Sequence, residues 1–269
     1  MLKLVQLNCW NFRYFEEMLE FLKHEKPDII NLQEVSIGDL VMNPNKNFDF
    51  EYLKKELGMD GFFVPRFGIK DDVKGNYFFG NGFLTSLEIV DYGSFFDKFS
   101  PDFSWYTKEQ SNVFDPNNKY QNYIRGFEVP VNFVWGILKY KNQLIRNVTT
   151  HFTVSFKCTE TLQIIQQARQ VVEFIDNVKD VPTIFSGDLN IQAESNSVKL
   201  IESKLERVSK GITNTMNPNL GSKLFVDEPN GLAVDHIFSK GFNTISCVSP
   251  VITISDHLPV VAELELLSK

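Results

Sequence analysis

Eight residues stand at or just beyond apolar runs that alternate like strands: Asn8, Glu34, His151, Asp188, Asn190, Asp235, Asp256 and His257. A single carboxylate in such a place is ordinary turn chemistry. Carboxylates, amides and imidazoles repeating the pattern call for a site that gathers them. Hard cations such as Mg²⁺ take oxygen ligands, a few carboxylates with waters and substrate phosphate oxygens. Glu34, Asp256 and the amide of Asn8 offer that set, and no His or Cys cluster has zinc spacing. Hydrolysis at such a centre needs a water activated by a base and donors for the charge that builds on phosphorus. His257, His151 and Asn190 are candidates for those tasks. Of the other histidines, His24 lies in an amphipathic stretch and is expected to be exposed, while His236 alternates to the opposite strand face from Asp235.

Residues this far apart must be brought together by the fold. Leu2 to Leu7 alternates as a strand, and Phe15, Met18, Leu19 and Leu22 recur at helical spacing between Arg13 and Lys26, where Pro27 stops the turn. Asp28 to Gln33 reads as a second strand. This unit places Asn8 and Glu34 at the C-terminal ends of its two strands, where functional side chains often gather. From Gly61 to Phe96, aromatic-rich runs punctuated by Gly68, Gly75, Gly80, Gly82 and Gly93 predict strands and turns. Asp97 to Asn122 is a polar excursion whose Trp105, Tyr106 and Tyr120 either anchor it by burial or stack on a substrate ring. Strands are expected at 126–133, 135–140, 144–150, 181–186, 234–238, 242–248 and 259–264, and helices at 161–178 and 194–205. Helices bracket many strands without strict alternation, which predicts two packed sheets covered by helices. No repeat or linker interrupts residues 1–269, so one domain is expected.

Composition is that of a soluble globular protein: 269 residues, 43% hydrophobic and 23% charged. Most of the 25 Phe are expected in sheet cores. A net charge of −7 excludes non-specific grip on polyanions through overall charge, though not a local basic groove. Cys9, Cys158 and Cys247 are widely spaced and read as free thiols. No segment approaches the roughly 18 apolar residues of a membrane span, and no signal peptide opens the chain, so a cytoplasmic monomer is expected.

In chain order, Leu7-Asn8, Asp28-Ile29-Ile30-Asn31-Leu32-Gln33-Glu34-Val35, Gly80-Asn81-Gly82-Phe83-Leu84, Thr150-His151-Phe152, Gly187-Asp188-Leu189-Asn190, Val234-Asp235-His236-Ile237-Phe238 and Ser255-Asp256-His257-Leu258-Pro259-Val260 together resemble the endonuclease/exonuclease/phosphatase superfamily, whose pancreatic deoxyribonuclease-like fold would span nearly the whole chain. The resemblance implies an α+β fold, a four-layer αββα sandwich of two packed, mostly antiparallel sheets flanked by helices. It also implies Mg²⁺- or Mn²⁺-dependent hydrolysis of a phosphate ester. Glu34 would be the principal metal ligand with Asn8 and Asp256 close by, and His257 would pair with Asp235. Asp188 and Asn190 would position the attacking water and scissile phosphate, and His151 would touch a phosphate oxygen. The base is then either His257 or Asp188. Arg125, before a strand, is a phosphate-binding cation or a surface ion pair. Lys70, Lys74, Lys98 and Lys108 could line a modest cationic rim. One such scaffold serves many substrates through its loops. A nucleic-acid phosphodiester is the leading expectation, a small soluble or lipid phosphate the alternative, and a binding module on an inactive scaffold the contrasting class.

Overall fold

The computed structural model describes residues 1–38, 48–70, 76–100, 102–107, 129–177, 180–220 and 231–267. Strand-forming runs dominate them: β1 (Leu2–Asn8), β2 (Ile29–Ile37), β3 (Asp60–Lys70), β4 (Tyr77–Thr85), β5 (Glu88–Phe96), β6 (Ser104–Thr107), β7 (Asn132–Tyr140), β8 (Gln143–His151), β9 (Thr183–Asp188), β10 (Glu206–Arg207), β11 (Asp235–Lys240), β12 (Phe242–Val248) and β13 (Val260–Leu266). The α-helices are α1 (Phe15–Glu25), α2 (Phe50–Leu57), α3 (Leu162–Asp176) and α4 (Asn196–Glu202).

The strands form two sheets, ordered β12-β13-β1-β2-β4-β3-β6 and β10-β11-β9-β8-β7-β5. Ladders β1/β2, β3/β6 and β8/β9 are parallel and the other described ladders are antiparallel. Period-two alternation splits the apolar residues into three layers. Leu4, Ile29, Phe83, Val134, Ile145, Ile237 and Val260 pack between the sheets. Val5, Leu7, Leu32 and Val35 turn outward onto Phe15, Met18 and Leu22 of α1 and Leu53 of α2. Phe133, Val148, Phe185 and Phe238 meet Ile164, Ala168 and Val171 of α3 and Val198 of α4. This is the expected αββα sandwich, with phenylalanine in every layer.

Several boundaries moved for physical reasons. Helix α2 was not anticipated. It is short, held by Asp49 accepting from the backbone N–H of Tyr52 at 2.9 Å and closed by left-handed Gly58 (φ 63°). The helix expected at 194–205 is the shorter α4, which starts at Asn196, capped by Ser195 accepting from Val198 N at 3.2 Å, and ends at Glu202. Of the strand expected at 126–133, residues 126–128 lie outside the described residues and 129–131 are irregular, while 132–133 run on without a break into the strand expected at 135–140 as β7. The excursion after Asp97 contains strand β6, which pairs in parallel with β3. Strand β2 does not end at Glu34 but continues to Ile37.

Candidate active site

Alternation would send Glu34 outward with Leu32, away from the gap between sheets. Instead Leu32 pairs with Gly82 and Val35 with Gly80, a bulge that leaves Gln33 and Glu34 together opposite one β4 residue. Leu32 and Val35 both face the helices, so Gln33 and Glu34 both turn inward. Glu34 takes left-handed φ (53°), as does Asn190 (52°), a cost that non-glycine residues bear chiefly where surrounding structure enforces it.

Register assembles the rest. Asp188, ending β9, pairs with His151 at the end of β8 and with Asp235 at the start of β11, so neighbouring strands of one sheet present these groups side by side. The facing sheet brings Asn8, whose Nδ2 donates to Glu34 Oε1 and to Asp188 Oδ2, each at 3.0 Å. Asp188 Oδ2 is the hub, also 3.4 Å from His151 Nε2 and 3.8 Å from His257 Nε2. Asp235 Oδ2 accepts from His257 Nδ1 at 2.8 Å. Asn190 donates its backbone N–H to Asp188 Oδ1 at 3.0 Å and its side-chain Nδ2 to the Phe152 carbonyl at 3.1 Å. His24 is exposed, and His236 faces away from the site, 3.0 Å from the Ile191 carbonyl.

The segment 255–257 has no regular ladder and is tied down otherwise. Ser255 Oγ donates to the Asn8 carbonyl at 2.7 Å. Asn217 Nδ2 donates to the Ser255 carbonyl at 2.8 Å, and Asn217 N donates to the Asp256 carbonyl at 2.8 Å. Thr215 Oγ1 accepts from the backbone N–H of Asp235 at 3.2 Å. Sequence reasoning missed this strap, because its polar residues look like any turn.

Burial and mutual charge set the protonation states. Burial pushes Asp188 up to about 7, aided by Asp235 and opposed by His257 and Asn8. Burial opposes charge on His257, yet Asp235, Asp188 and Asp256 override it and raise the imidazole well above its ordinary value. His151 goes the other way: burial, with Arg66 and His257, holds it well below the usual range. Its approach to Asp188 is therefore that of a neutral ring. Its buried Nδ1 has no partner among the described residues.

Glu34 and Asp256 are half-buried, and both carboxyls are raised, first by burial; repulsion from Asp256 adds to the rise at Glu34. A divalent cation would relieve that repulsion, and an all-oxygen donor set fits a hard ion. Asn8 now turns its nitrogen to the carboxylates while Oδ1 accepts from Trp10 N at 3.1 Å, so ligation through Oδ1 requires its amide to rotate. Among the described residues, Asp188, Asp235 and His257 also offer ligand atoms within 4.8 Å of one another. Two of these are already joined by the 2.8 Å Asp235–His257 hydrogen bond, which marks that group as a hydrogen-bonded relay. Arg125, Tyr120, Lys74 and Lys108 lie outside the described residues. Lys98 pairs with Glu173 at 3.2 Å.

A family model described as the Endonuclease/Exonuclease/phosphatase family matches residues 5–257. No curated protein matches the chain. Solved structures do. A mannosyl-6-phosphatase from Bacteroides thetaiotaomicron superposes with TM-score 0.65 at 20% identity, covering 99% of this chain and 100% of that one. The human Nocturnin catalytic domain with bound sulfate gives 0.65 at 16%, covering 98% and 93%. An endonuclease/exonuclease/phosphatase from Bacteroides vulgatus gives 0.67 at 18%, covering 98% of each chain. At these identities the likeness establishes the fold.

Proposed function

The chain belongs to the endonuclease/exonuclease/phosphatase family, a family of phosphate-ester hydrolases that generally depend on divalent metal, and from that premise we propose a Mg²⁺- or Mn²⁺-dependent phosphodiesterase acting on single-stranded nucleic acid, with residues 1–269 as one catalytic domain. The observation that carries this reading is the convergence on Asp188 Oδ2 of Asn8 at 3.0 Å, His151 at 3.4 Å and His257 at 3.8 Å.

Bound metal supplies Lewis-acid neutralisation of charge developing on phosphorus; Glu34, Asp256 and a rotated Asn8 would hold it. Asp188, poised at about 7, takes the proton of the attacking water as the water oxygen bonds to phosphorus and the ester P–O bond breaks. His257 is a poor acceptor because its flanking carboxylates keep it protonated; as an imidazolium anchored through Nδ1 it offers Nε2–H to the developing oxyanion. His151, neutral and buried, adds a ring nitrogen to the phosphate, and the Asn190 backbone holds Asp188 in place.

The nucleic-acid reading is supported by two tryptophan–cation pairs. Arg13 stands 4.2 Å over the Trp10 ring, two residues beyond Asn8. Lys70 stands 5.2 Å over Trp105, which registers against Gly68, two residues along β3 from Arg66. Trp105 is exposed and Trp10 half-buried; an aromatic ring with a cation beside it can stack on a base while the cation meets the backbone phosphate.

A panel of single-stranded DNA and RNA, bis(p-nitrophenyl) phosphate, p-nitrophenyl phosphate, sugar phosphates and inositol phosphates, each with Mg²⁺, Mn²⁺ or EDTA, tests this. Release from diesters and oligonucleotides that EDTA and Glu34→Ala both abolish is expected. Turnover confined to small phosphates would replace the nucleic-acid substrate, and no turnover anywhere would leave a binding module.

A further inference from the structure

Strand β3 slips register beside the site. Pro65 pairs with Gly80 and Phe67 with Phe79, leaving Arg66 extruded between them. Val64, two residues earlier, lies in the apolar layer between the sheets, so Arg66 continues that face towards its polar end. Gly80 is also the partner of Val35, next to the bulge holding Glu34. One short stretch of β4 is thus flanked by two bulges, one extruding a carboxylate and the other a guanidinium. Gly80 permits this approach, since a Cβ there would stand 1.9 Å from the Val64 carbonyl oxygen.

Arg66 is only 7% exposed. Its Nε donates to the Pro130 carbonyl at 2.6 Å, which orients the planar fork. Its two terminal nitrogens make no hydrogen bond with any described residue. The charge is close enough to be felt by Glu34 and Asp188, which favour it, and to depress His151. A buried guanidinium with unused N–H groups is costly unless an acceptor arrives. Its rigid fork matches two oxygens of one tetrahedral anion better than it matches separate carboxylates.

We propose that Arg66 is the substrate-binding cation of this site, its fork receiving two non-bridging oxygens of the phosphoryl group next to Glu34 and His151. The assignment rests on the phosphate-ester reading above and gives Arg66 the role that sequence reasoning offered to Arg125. The competing role is a fixed counter-charge for the acidic cluster, and the two differ in what they do to metal binding. Removing a cation beside Glu34 tightens or leaves unchanged the affinity for a divalent ion; removing an anion fork weakens phosphate.

Calorimetric titration of the full chain with inorganic phosphate, and separately with Mn²⁺ alone, distinguishes them. Arg66→Met is expected to weaken phosphate by about 10–100-fold, Arg66→Lys to recover part of that loss, and Mn²⁺ affinity to hold or rise in both. Unchanged phosphate affinity in a folded Arg66→Met variant overturns the proposal. So does a wild type that binds no phosphate, or a loss of Mn²⁺ affinity and thermal stability with phosphate binding intact. Arg66-dependent phosphate binding in a protein that cleaves nothing in the substrate panel would instead retain the anion site and refute the hydrolase reading.

Discussion

Replacing Asp235 by Asn removes one negative charge from a hydrogen bond of 2.8 Å to His257 Nδ1, and the surroundings decide how the new amide turns. Gln6 Nε2 donates to Asp235 Oδ1 at 3.3 Å, and Gln6 is itself held by Ser186 Oγ donating to its Oε1 at 2.8 Å. The amide oxygen of the variant is therefore directed to Gln6 and its NH₂ to His257, so Nδ1 must become an acceptor. The imidazole is then neutral, with its proton on Nε2. What is lost is the charge at the developing oxyanion rather than the donor itself, and removing one such stabilising contribution costs about 3–4 kcal/mol, or about 10²–10³ in kcat. KM should change little, because the contribution grows in the transition state. Asp235 helps to raise His257, so its removal lowers the imidazole pKa. The basic limb of the pH–rate profile should move to lower pH. Single-turnover cleavage of bis(p-nitrophenyl) phosphate at saturating Mg²⁺ measures the rate, and ¹⁵N NMR of the imidazole reads the tautomer directly. A variant within about tenfold of wild type with an unmoved basic limb would refute the assignment of His257 as a cation held by Asp235.

His236 should make the fold acid-sensitive. Burial first, with Arg207, lowers it to about 4, against a smaller opposing effect of the hydrogen bond to Ile191. The unfolded chain binds this proton from about pH 6.5 downward and the native state only near 4, so stability falls as pH drops through that window, by roughly 3 kcal/mol in total. His236→Gln keeps a donor to the Ile191 carbonyl and should flatten the loss in urea titrations at pH 4.5 and 7.5; parallel slopes for both proteins would exclude His236 as the cause. Gly80→Ala should be far worse than its size suggests, because the new methyl would stand 1.9 Å from the Val64 oxygen and 2.8 Å from Pro65 Cα. A loss of about 2–4 kcal/mol is expected, with weaker Mn²⁺ binding as both bulges shift; an unchanged urea midpoint would show that the strands can part without cost.

Residue type and order alone indicated a layered α+β fold and nearly all the groups that converge. Apolar periodicity locates strands and helices, and acid, amide and imidazole at strand edges survive as short motifs whatever lies between. Helix α2 was hidden because only Phe50 and Leu53 of it are buried, too few to produce a clear period. Register was not legible at all. A bulge adds a residue without altering composition, so that Glu34 and Arg66 turn inward became apparent only when β4 was seen paired on both sides. Arg66 stands within an aromatic run, where its neighbours do not single it out, while Arg125 drew attention by preceding an apolar one. Protonation was equally out of reach, since His151 and His257 are the same residue type at the edge of similar strands. What separates a neutral ring from a cation is the number of carboxylates facing it in a buried space. The sequence determined which chemistry the chain can offer, and the packing of one sheet against the other decided which groups carry charge and where they point.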